Sequence, residues 1–323
     1  MRAIVRRQFG GPEVLELAEQ PRPRPEPGQV LIQVRAFGLN HAELYMRRGD
    51  WGSVAPVSGI ECVGTVAADP GGRFKPGQTV LAAMGGMGRS IAGSYAEYVV
   101  VRQANVVAVE SSLPWQRLAM VPESYGVAWS CLKPCLNLQA GQRLLVRGAN
   151  AALGRAALDL ARWLGVRTTA TTRSAAQACA LRDLGAERVI IAGTSLDVAE
   201  AGQFDAVLDL LGNSSLRDSL RLAIPGGRVC LAGFLGGLAP LAAFNPLTDM
   251  PSTVQLSFFG SFNFGEAGHA LGAIPYQDIV DAIAAGQLQA NPARVFGFEE
   301  VPAAHALMEN GAANGKLVVR VAV

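Results

Sequence analysis

The segment RLLVRGANAALGRAALDLARWLG, residues 143–165, decides the fold class of this chain. It begins with a short apolar run at 143–147 and continues through a turn of small residues at 148–152. Apolar residues then recur at helical spacing from Leu153 to Leu164. A strand, a small-residue turn and an amphipathic helix in this order form the first part of a βαβ unit, so the segment predicts a parallel sheet with a helix packed on it.

The same alternation continues after this segment and predicts a sheet that is covered on both faces. Its further strands are predicted at 167–172, 188–191, 204–211, 227–232 and 254–259, and its helices at 175–184 and 216–223. The first hundred residues are β-rich instead, with strands predicted at 29–36, 62–67, 79–83 and 95–101 and a helix at 41–48. The tail carries helices at 276–285 and 302–310 and a strand at 316–321, and it fits either the β-rich part or the parallel sheet.

Length and composition exclude several classes of protein. A chain of 323 residues is expected to form two domains, and 50% hydrophobic against 17% charged residues exclude a disordered protein. A net charge of +2 without clusters of Lys or Arg argues against binding to nucleic acid. No window of about 18 residues is continuously apolar, so no membrane span is expected. Five scattered cysteines, and a start without the apolar core of a signal peptide, predict a cytoplasmic location.

The turn at 148–152 lies where a dinucleotide-binding fold places the pyrophosphate. In the G-x-G-x-x-G frame that ends at Gly154, the first two positions are Ala149 and Ala151. The methyl group of Ala151 lies where the backbone should approach a phosphate, whereas Gly154 permits close packing of helix and strand. The pattern predicts a dinucleotide site, and a turn with only a structural role is the alternative.

The end of the next strand, Thr172-Arg173-Ser174, indicates which dinucleotide is bound. An acidic residue here would accept a hydrogen bond from the ribose hydroxyl of NADH, and these positions carry none. The guanidinium of Arg173 suits a 2′-phosphate instead. The sequence therefore predicts NADP(H), and the alternative is that Arg173 is an ordinary solvated residue.

Six stretches in a characteristic order carry a family resemblance: GLNHAELYMRRG at 38–49, GIECVGTV at 59–66, GSYAEY at 93–98, RGANAALG at 147–154, DLLG at 209–212 and GKLV at 315–318. With them the chain resembles the zinc-less quinone oxidoreductase (zeta-crystallin-like) branch of the medium-chain dehydrogenase/reductase superfamily. The resemblance implies an α/β fold in which a Rossmann doubly wound parallel sheet is inserted into a β-rich, GroES-like substrate domain. Residues 1–122 and 263–323 would form the substrate domain, and residues 123–262 the NADP-binding domain.

The resemblance also implies the chemistry. Zinc members of the superfamily place a cysteine ligand at the position of Asn40 and a histidine at that of Ile60, so no metal is expected here. The implied reaction is hydride transfer from NADPH to a small-molecule acceptor that is already polarised, a quinone or an α,β-unsaturated carbonyl compound. The alternatives are an enoyl thioester or a dedicated biosynthetic intermediate as the acceptor, and a non-catalytic NADPH-binding protein.

Residue by residue, the resemblance places Asn40 and Tyr45 beside the nicotinamide and the acceptor as the catalytic pair, with packing as the alternative role of Tyr45. The cofactor-binding positions that it implies are Asn40, Val127, Gly148, Ala149, Asn150, Ala151, Ala152, Leu153, Gly154, Thr172, Arg173, Ser174, Leu211, Gly212, Gly233, Phe234, Asn314 and Lys316. The expected acceptor pocket consists of Tyr45, Trp51, Met84, Met87, Tyr125 and Phe258. The resemblance also implies a homodimer that pairs through the edge of the NADP-binding sheet, and the apolar strand Val254–Phe259 is the expected edge.

Overall fold

A computed structural model describes residues 1–193 and 195–322 of the chain. The chain forms two compact units. The first unit consists of Met1–Gly126 together with Ser261–Val323, and the second unit consists of Val127–Gly260. None of the described helices is long and apolar enough to cross a membrane.

The first part of the chain contains the strands β1 Arg2–Arg6, β2 Leu15–Glu19, β3 Gln29–Gly38, β4 Glu61–Ala68, β5 Thr79–Ala83, β6 Tyr98–Arg102 and β7 Val106–Ala108, and the helices α1 His41–Arg48 and α2 Trp115–Leu118. The middle part contains α3 Gly126–Ser130, β8 Arg143–Arg147, α4 Ala152–Trp163, β9 Arg167–Thr172, α5 Ala178–Asp183, β10 Ala186–Ile191, β11 Phe204–Asp209, α6 Leu216–Leu222, β12 Ala223–Leu231, α7 Pro246–Asp249 and β13 Gln255–Phe258. The tail contains α8 Tyr276–Ala284, β14 Arg294–Gly297, α9 Val301–Glu309 and β15 Leu317–Arg320. Two π-helical segments, Val121–Tyr125 and Cys131–Cys135, flank α3.

The second unit is built around a six-stranded sheet in the order β10-β9-β8-β11-β12-β13, and every strand pair in it is parallel. This is the strand order of a doubly wound Rossmann sheet. The central strand β8 is buried from Leu144 to Arg147, as expected of a parallel strand that is covered on both faces. The strand order reverses between β8 and β11, and ligands of such sheets bind at the carboxyl ends of the strands near this point.

The first unit contains a seven-stranded sheet in the order β14-β15-β3-β4-β5-β7, in which β6 also pairs with β3. Its pairs are antiparallel except for β14 with β15. The tail returns to this unit because β15 pairs with β3, with Val318 opposite Gly38. With both sheets in place, the predicted fold class is confirmed.

The sequence patterns do not predict β1, β2, β7 or β14. Strands β7 and β14 have only three and four residues, too few for a period of two to be recognised. The strands β1 and β2 form a separate two-stranded sheet. The patterns also miss the irregular turns around α3, where Pro134 lies inside a π-helical segment because a proline cannot donate the hydrogen bond of a regular helix.

Candidate active site

The turn after β8 brings helix α4 close to the sheet of the second unit. A Cβ added to Gly154 would lie 2.7 Å from the Cα and 2.8 Å from the carbonyl carbon of Ala149, so only glycine fits there. Gly148 has a φ of +75°, which glycine adopts without strain. Ala151 is the cap residue of this twelve-residue helix, and its methyl group offers no acceptor to the first amide groups. Helix amides left without a side-chain cap are suited to binding an anion.

A buried polar network shapes the neighbouring turn after β11. Asp209 Oδ1 accepts hydrogen bonds from the backbone N–H groups of Leu211 at 2.8 Å and Gly212 at 3.2 Å. Its Oδ2 accepts from the hydroxyl of Ser219, whose oxygen in turn accepts from Arg147 Nη1 at 2.8 Å. Asp209 and Arg147 are fully buried. The network therefore holds the predicted cofactor positions Leu211 and Gly212 through their backbone.

The end of β9 carries the side chains expected to select the dinucleotide. Thr172 is buried, whereas Arg173 and Ser174 are exposed. Within the described part of the chain, no carboxylate forms an ion pair with the Arg173 guanidinium. The cation is therefore available to a phosphate.

Arg155 is a further cation near this edge that the sequence patterns do not indicate. Its Nη2 donates hydrogen bonds to Asn150 Oδ1 at 2.7 Å and to Gln177 Oε1 at 2.8 Å. Partial burial lowers the pKa of its guanidinium below the ordinary value. Arg155 thus links the turn after β8 to Gln177, which lies between β9 and α5.

The remaining predicted positions of the second unit lie in three places. Ala152 and Leu153 begin α4, and Gly233 and Phe234 follow the carboxyl end of β12. The rings of Phe234 and Phe258 lie with their centroids 6.0 Å apart. Val127 is buried at the start of the unit. As binding residues, all of them stay predictions.

In the first unit, both polar atoms of the Asn40 carboxamide form hydrogen bonds. Its Nδ2 donates to Glu61 Oε1 at 2.9 Å, and its Oδ1 accepts from Lys316 Nζ at 2.5 Å. Its backbone N–H donates to Glu43 Oε2 at 2.9 Å, as in a capping box at the start of α1. These partners set the orientation of the carboxamide: the oxygen faces the lysine and the nitrogen faces the carboxylate.

Lys316 and Glu61 form an ion pair that is fully buried. The other oxygen of Glu61, Oε2, accepts the backbone N–H of Glu123 at 2.9 Å. Burial raises the pKa of the Glu123 carboxyl to about 7, although the charge of Lys316 opposes this shift. The ammonium of Lys316 thus has Asn40 and Glu61 as partners, and its predicted contact with a cofactor stays a prediction.

A series of buried hydrogen bonds connects Glu43 with Tyr95, His305 and Arg47. Glu43 Oε2 accepts from the Tyr95 hydroxyl at 2.8 Å, and that hydroxyl lies 2.9 Å from His305 Nε2. Because Tyr95 donates its one proton to Glu43, it accepts from Nε2–H, and His305 Nδ1 accepts from Arg47 Nη1 at 3.4 Å. Burial and the charge of Arg47 lower the pKa of His305 to about 3, which agrees with a neutral ring. Arg47 pairs with Glu309 at 2.6 Å.

Glu43 connects these hydrogen bonds of Tyr95, His305 and Arg47 to the cap of α1. It is fully buried, and its Oε1 accepts the backbone N–H of Ile60 at 3.0 Å. Burial raises the pKa of Glu43 to about 7, although its hydrogen bonds with Asn40 and Tyr95 favour the ionised form. The three donors hold the carboxylate in one place, and through it the start of α1.

Tyr45 lies on α1, one turn after its start. Its ring centroid lies 5.1 Å from that of His41 and 6.3 Å from that of Trp51, so the three rings form a row. Partial burial raises the pKa of the Tyr45 hydroxyl above its ordinary value. The phenol is therefore protonated at neutral pH and can donate a hydrogen bond.

The structure does not bring all the expected pocket residues into one unit. Met84 and Met87 line a cavity of the first unit, and Tyr125 is buried there with its hydroxyl accepting the N–H of Ala290 at 3.1 Å. Phe258 belongs to the second unit, where its side chain is half exposed. Asn314, in the tail, is exposed and has a φ of +49°. The roles of these residues stay predictions.

Sequence reasoning missed the buried charged and histidine residues that support the predicted ones: Glu43, Arg47, Glu61, Arg147, Asp209 and His305. One signal was present, because Glu61 begins a run of small and apolar residues and Lys316 precedes another. A charge in such a run must find a partner when it is buried. The sequence does not say which partner, since Glu61 and Lys316 lie 255 positions apart.

Two family models match the chain. The alcohol dehydrogenase GroES-like domain matches residues 26–111, and the zinc-binding dehydrogenase domain matches residues 184–319. Although the second family is named for zinc, the described residues contain no group of three or more His, Cys, Asp or Glu side chains that could hold a metal ion. At the two positions discussed above, the side chains are Asn40 and Ile60.

Three known proteins define what the chain is similar to. The quinone oxidoreductase of Homo sapiens is 30% identical over 277 residues, which are 81% of this chain and 81% of that protein. A phenolphthiocerol/phthiocerol polyketide synthase of Mycobacterium tuberculosis is 28% identical over 99% of this chain and 15% of that much longer protein. A mycobacterial protein solved in complex with NADPH is 25% identical, with a TM-score of 0.86, and the match covers 99% of this chain and 100% of that chain.

Proposed function

Because this chain belongs to the zinc-less quinone oxidoreductase branch of the medium-chain dehydrogenase/reductase superfamily, we propose that it is an NADPH-dependent reductase of quinones or α,β-unsaturated carbonyl compounds. The observation that carries the proposal is the turn at 148–154, where Gly154 allows the start of α4 to lie against the sheet. The quinone oxidoreductase of Homo sapiens and the mycobacterial protein solved with NADPH support it as relatives.

The residues of the second unit fit a dinucleotide phosphate. The first amide groups of α4 offer N–H donors to a pyrophosphate, together with the positive end of the helix dipole. The exposed Arg173 offers a guanidinium to a 2′-phosphate, and Ser174 offers a hydroxyl. NADPH bound there supplies a hydride, and the protein supplies binding and orientation.

In the first unit, Asn40 is the candidate for binding the acceptor. One hydrogen of its Nδ2 group is donated to Glu61, and the second remains for a carbonyl oxygen. Since Lys316 and Glu61 hold the carboxamide in place, it need not reorient as negative charge develops on that oxygen. Tyr45, which keeps its proton at neutral pH, is the candidate donor to the reduced acceptor.

The first experiment is a calorimetric titration of the purified protein with NADPH and, separately, with NADH. We expect NADPH to bind at least about tenfold more tightly, because only NADPH carries the phosphate that Arg173 would contact. Quinones and enones are then added, and the oxidation of NADPH is followed by its absorbance. Failure to bind either cofactor would contradict the proposal and favour a turn with only a structural role. NADPH binding without turnover of any acceptor would favour a non-catalytic binding protein.

The variant Tyr45→Phe tests the second catalytic candidate. It removes the hydroxyl and keeps the ring in the row with His41 and Trp51. If the hydroxyl donates to the reduced acceptor, kcat should fall by about tenfold or more while the Kd for NADPH stays unchanged. A smaller loss would assign Tyr45 to packing.

An enoyl-thioester reductase is the second candidate function. It is favoured by the match to the mycobacterial polyketide synthase, which extends over 99% of this chain. The two candidates are separated by comparing kcat/KM for a quinone, a simple enone and an enoyl thioester under one set of conditions. A preference for the thioester of about tenfold or more would make the second candidate the better description.

We also propose a homodimer that forms through β13. This strand is the edge of the six-stranded sheet, and Leu256 and Phe258 expose 39% and 52% of their surface there. An exposed apolar edge strand is suited to pairing with a second copy. Light scattering should give the mass of a dimer, and Leu256→Lys should shift it to a monomer, whereas Val198→Lys at another exposed apolar position should not. A monomeric mass for the wild-type protein would contradict the proposal.

A cytoplasmic location remains part of the proposal. It is supported by the cysteines, all five of which are free in the structure. Free thiols persist in a reducing compartment. Cell fractionation with an antibody against the chain checks this, and recovery in an oxidising compartment would contradict it.

A further inference from the structure

The first unit contains a cavity of about 510 Å³ beside the turn that follows β5. This volume lies within the range of small-molecule sites. Its apolar lining includes Met84, Met87, Ile91 and Phe262. Methionine side chains adapt to ligands of different shape, so this lining favours the apolar body of a small molecule.

The charges of the residues that line the cavity do not cancel. Arg102 pairs with Glu266 at 2.7 Å, so these two charges compensate each other. Arg89 is exposed, and no carboxylate in the described part of the chain forms an ion pair with it. The cavity therefore carries one positive charge without a partner, and that charge belongs to Arg89.

Arg89 also lies next to the row of aromatic rings. Its guanidinium carbon is 5.9 Å from the centroid of the Trp51 ring. The backbone fixes this position, because Arg89 N–H donates to Gly86 O at 3.0 Å and Ala55 N–H donates to Gly88 O at 3.1 Å. One guanidinium thus belongs both to the cavity and to the surroundings of Trp51, the ring beside Tyr45.

We propose that the acceptor carries an anionic group, a carboxylate or a sulfonate-like group, which binds Arg89 while its apolar body occupies the cavity. The proposal rests on the proposed function, since it assigns a class of acceptor to the reductase. A guanidinium donates two parallel hydrogen bonds to two oxygens of a carboxylate or a sulfonate, whereas a single carbonyl oxygen cannot accept this pair of bonds. Arg89 would therefore determine specificity without taking part in hydride transfer.

Binding is tested first with a probe that cannot be reduced. Naphthalene-2-sulfonate is titrated calorimetrically into the wild-type protein, Arg89→Gln and Arg24→Gln. Arg24 is an exposed arginine of the same unit that does not line the cavity, so its variant loses the same charge elsewhere. We expect the Kd to rise by about tenfold in Arg89→Gln and to stay unchanged in Arg24→Gln. An equal Kd in all three proteins, or no binding to the wild type, overturns the proposal.

The kinetic test compares 1,4-naphthoquinone with its 2-sulfonate, which differ in one negative charge. The wild-type protein should show a KM about tenfold lower for the sulfonate, and Arg89→Gln should lose this preference without a change in kcat for the neutral quinone. Reduction of both quinones with the same KM would overturn the anion site and leave the proposed function intact. If neither quinone is reduced, the quinone-reductase part of the proposed function is contradicted, and the binding experiment still decides whether Arg89 holds the anion.

Discussion

The turn at 148–154 in the second unit and the side chain of Asn40 in the first unit are held in place by opposite means. In the second unit, the turn at 148–154 is shaped by the backbone, since the missing Cβ of Gly154 allows the contact with Ala149. In the first unit, Asn40 is held by the charged side chains of Lys316 and Glu61, which are fully buried. One arrangement depends on space, and the other depends on paired charge.

This difference predicts which kind of substitution should disrupt each arrangement. A turn held by close backbone packing fails when volume is added, because the helix must move away from the sheet. A buried charge network fails when one partner is removed, because the remaining charge is left without water or a counterion. Variants that remove one of the paired charges should therefore disturb the surroundings of Asn40, and variants that add volume should disturb the turn at 148–154.

Removing the ammonium of Lys316 should have the largest effect. In Lys316→Met, the Glu61 carboxylate stays buried without its cation, and the free energy of unfolding should fall by about 3–5 kcal/mol. Urea denaturation measures this loss. The double variant with Glu61→Gln should recover most of it, because no unpaired charge remains. A loss below about 1 kcal/mol in the single variant would mean that the pair behaves like a surface ion pair.

The next effect concerns the pH dependence of stability. The pKa of Glu43 is about 7 in the folded protein and 4.5 in its ordinary state, so the folded protein retains a proton that the unfolded chain has lost between these values. The free energy of unfolding should therefore fall as the pH rises from about 4.5 to about 7, by at most about 3 kcal/mol from this group. Glu43→Gln should make the dependence flatter in this window.

Urea denaturation at several pH values checks this expectation. Glu123→Gln is the matched comparison, because desolvation also raises the pKa of its carboxyl to about 7 and the cap of α1 donates its hydrogen bond to Glu43 instead. Each variant should reduce the slope of the free energy of unfolding against pH. An unchanged slope in Glu43→Gln would show that its carboxyl does not titrate in this range.

Adding volume to the turn should have a somewhat smaller effect on stability. The methyl group of Gly154→Ala would overlap the backbone of Ala149, so we expect a loss of about 2 kcal/mol and NADPH binding weakened by about tenfold or more. Gly193→Ala is the control, since a Cβ there has no atom of the described, non-neighbouring residues within 4 Å. Normal NADPH binding by Gly154→Ala would break the proposed link between this close contact and the phosphate site.

The smallest effect is expected at the end of β9, where the candidate contact is a single exposed side chain. Arg173→Glu should weaken NADPH binding by about tenfold and leave NADH binding nearly unchanged, because only the 2′-phosphate is repelled. Arg182→Glu, with the same change of charge on α5, should bind NADPH as the wild type does. If Arg173→Glu still prefers NADPH, the phosphate is bound elsewhere, and Arg155 becomes the candidate.

The parts that sequence predicts best are those with a local cause. The run 143–147 and the helix from Leu153 onward are recognisable because their apolar residues repeat with the period of the element. Local patterns do not predict which sheet the tail joins. That depends on the pairing of β15 with β3, two strands that lie far apart in the chain. Local patterns also do not predict the hydrogen bonds of Asn40 with Glu61 and Lys316, because these residues too lie far apart in the chain.

The sequence by itself determined the doubly wound sheet, the glycine-poor turn before α4 and the absence of an acidic side chain at 172–174. Only the tertiary structure decided that Lys316 and Glu61 are partners, that the Tyr95 hydroxyl contacts both Glu43 and His305, and that Arg89 lies beside Trp51. The physical reason is the range of each cause. Periodicity acts between neighbours in the chain, whereas a buried charge selects its partner by proximity after folding.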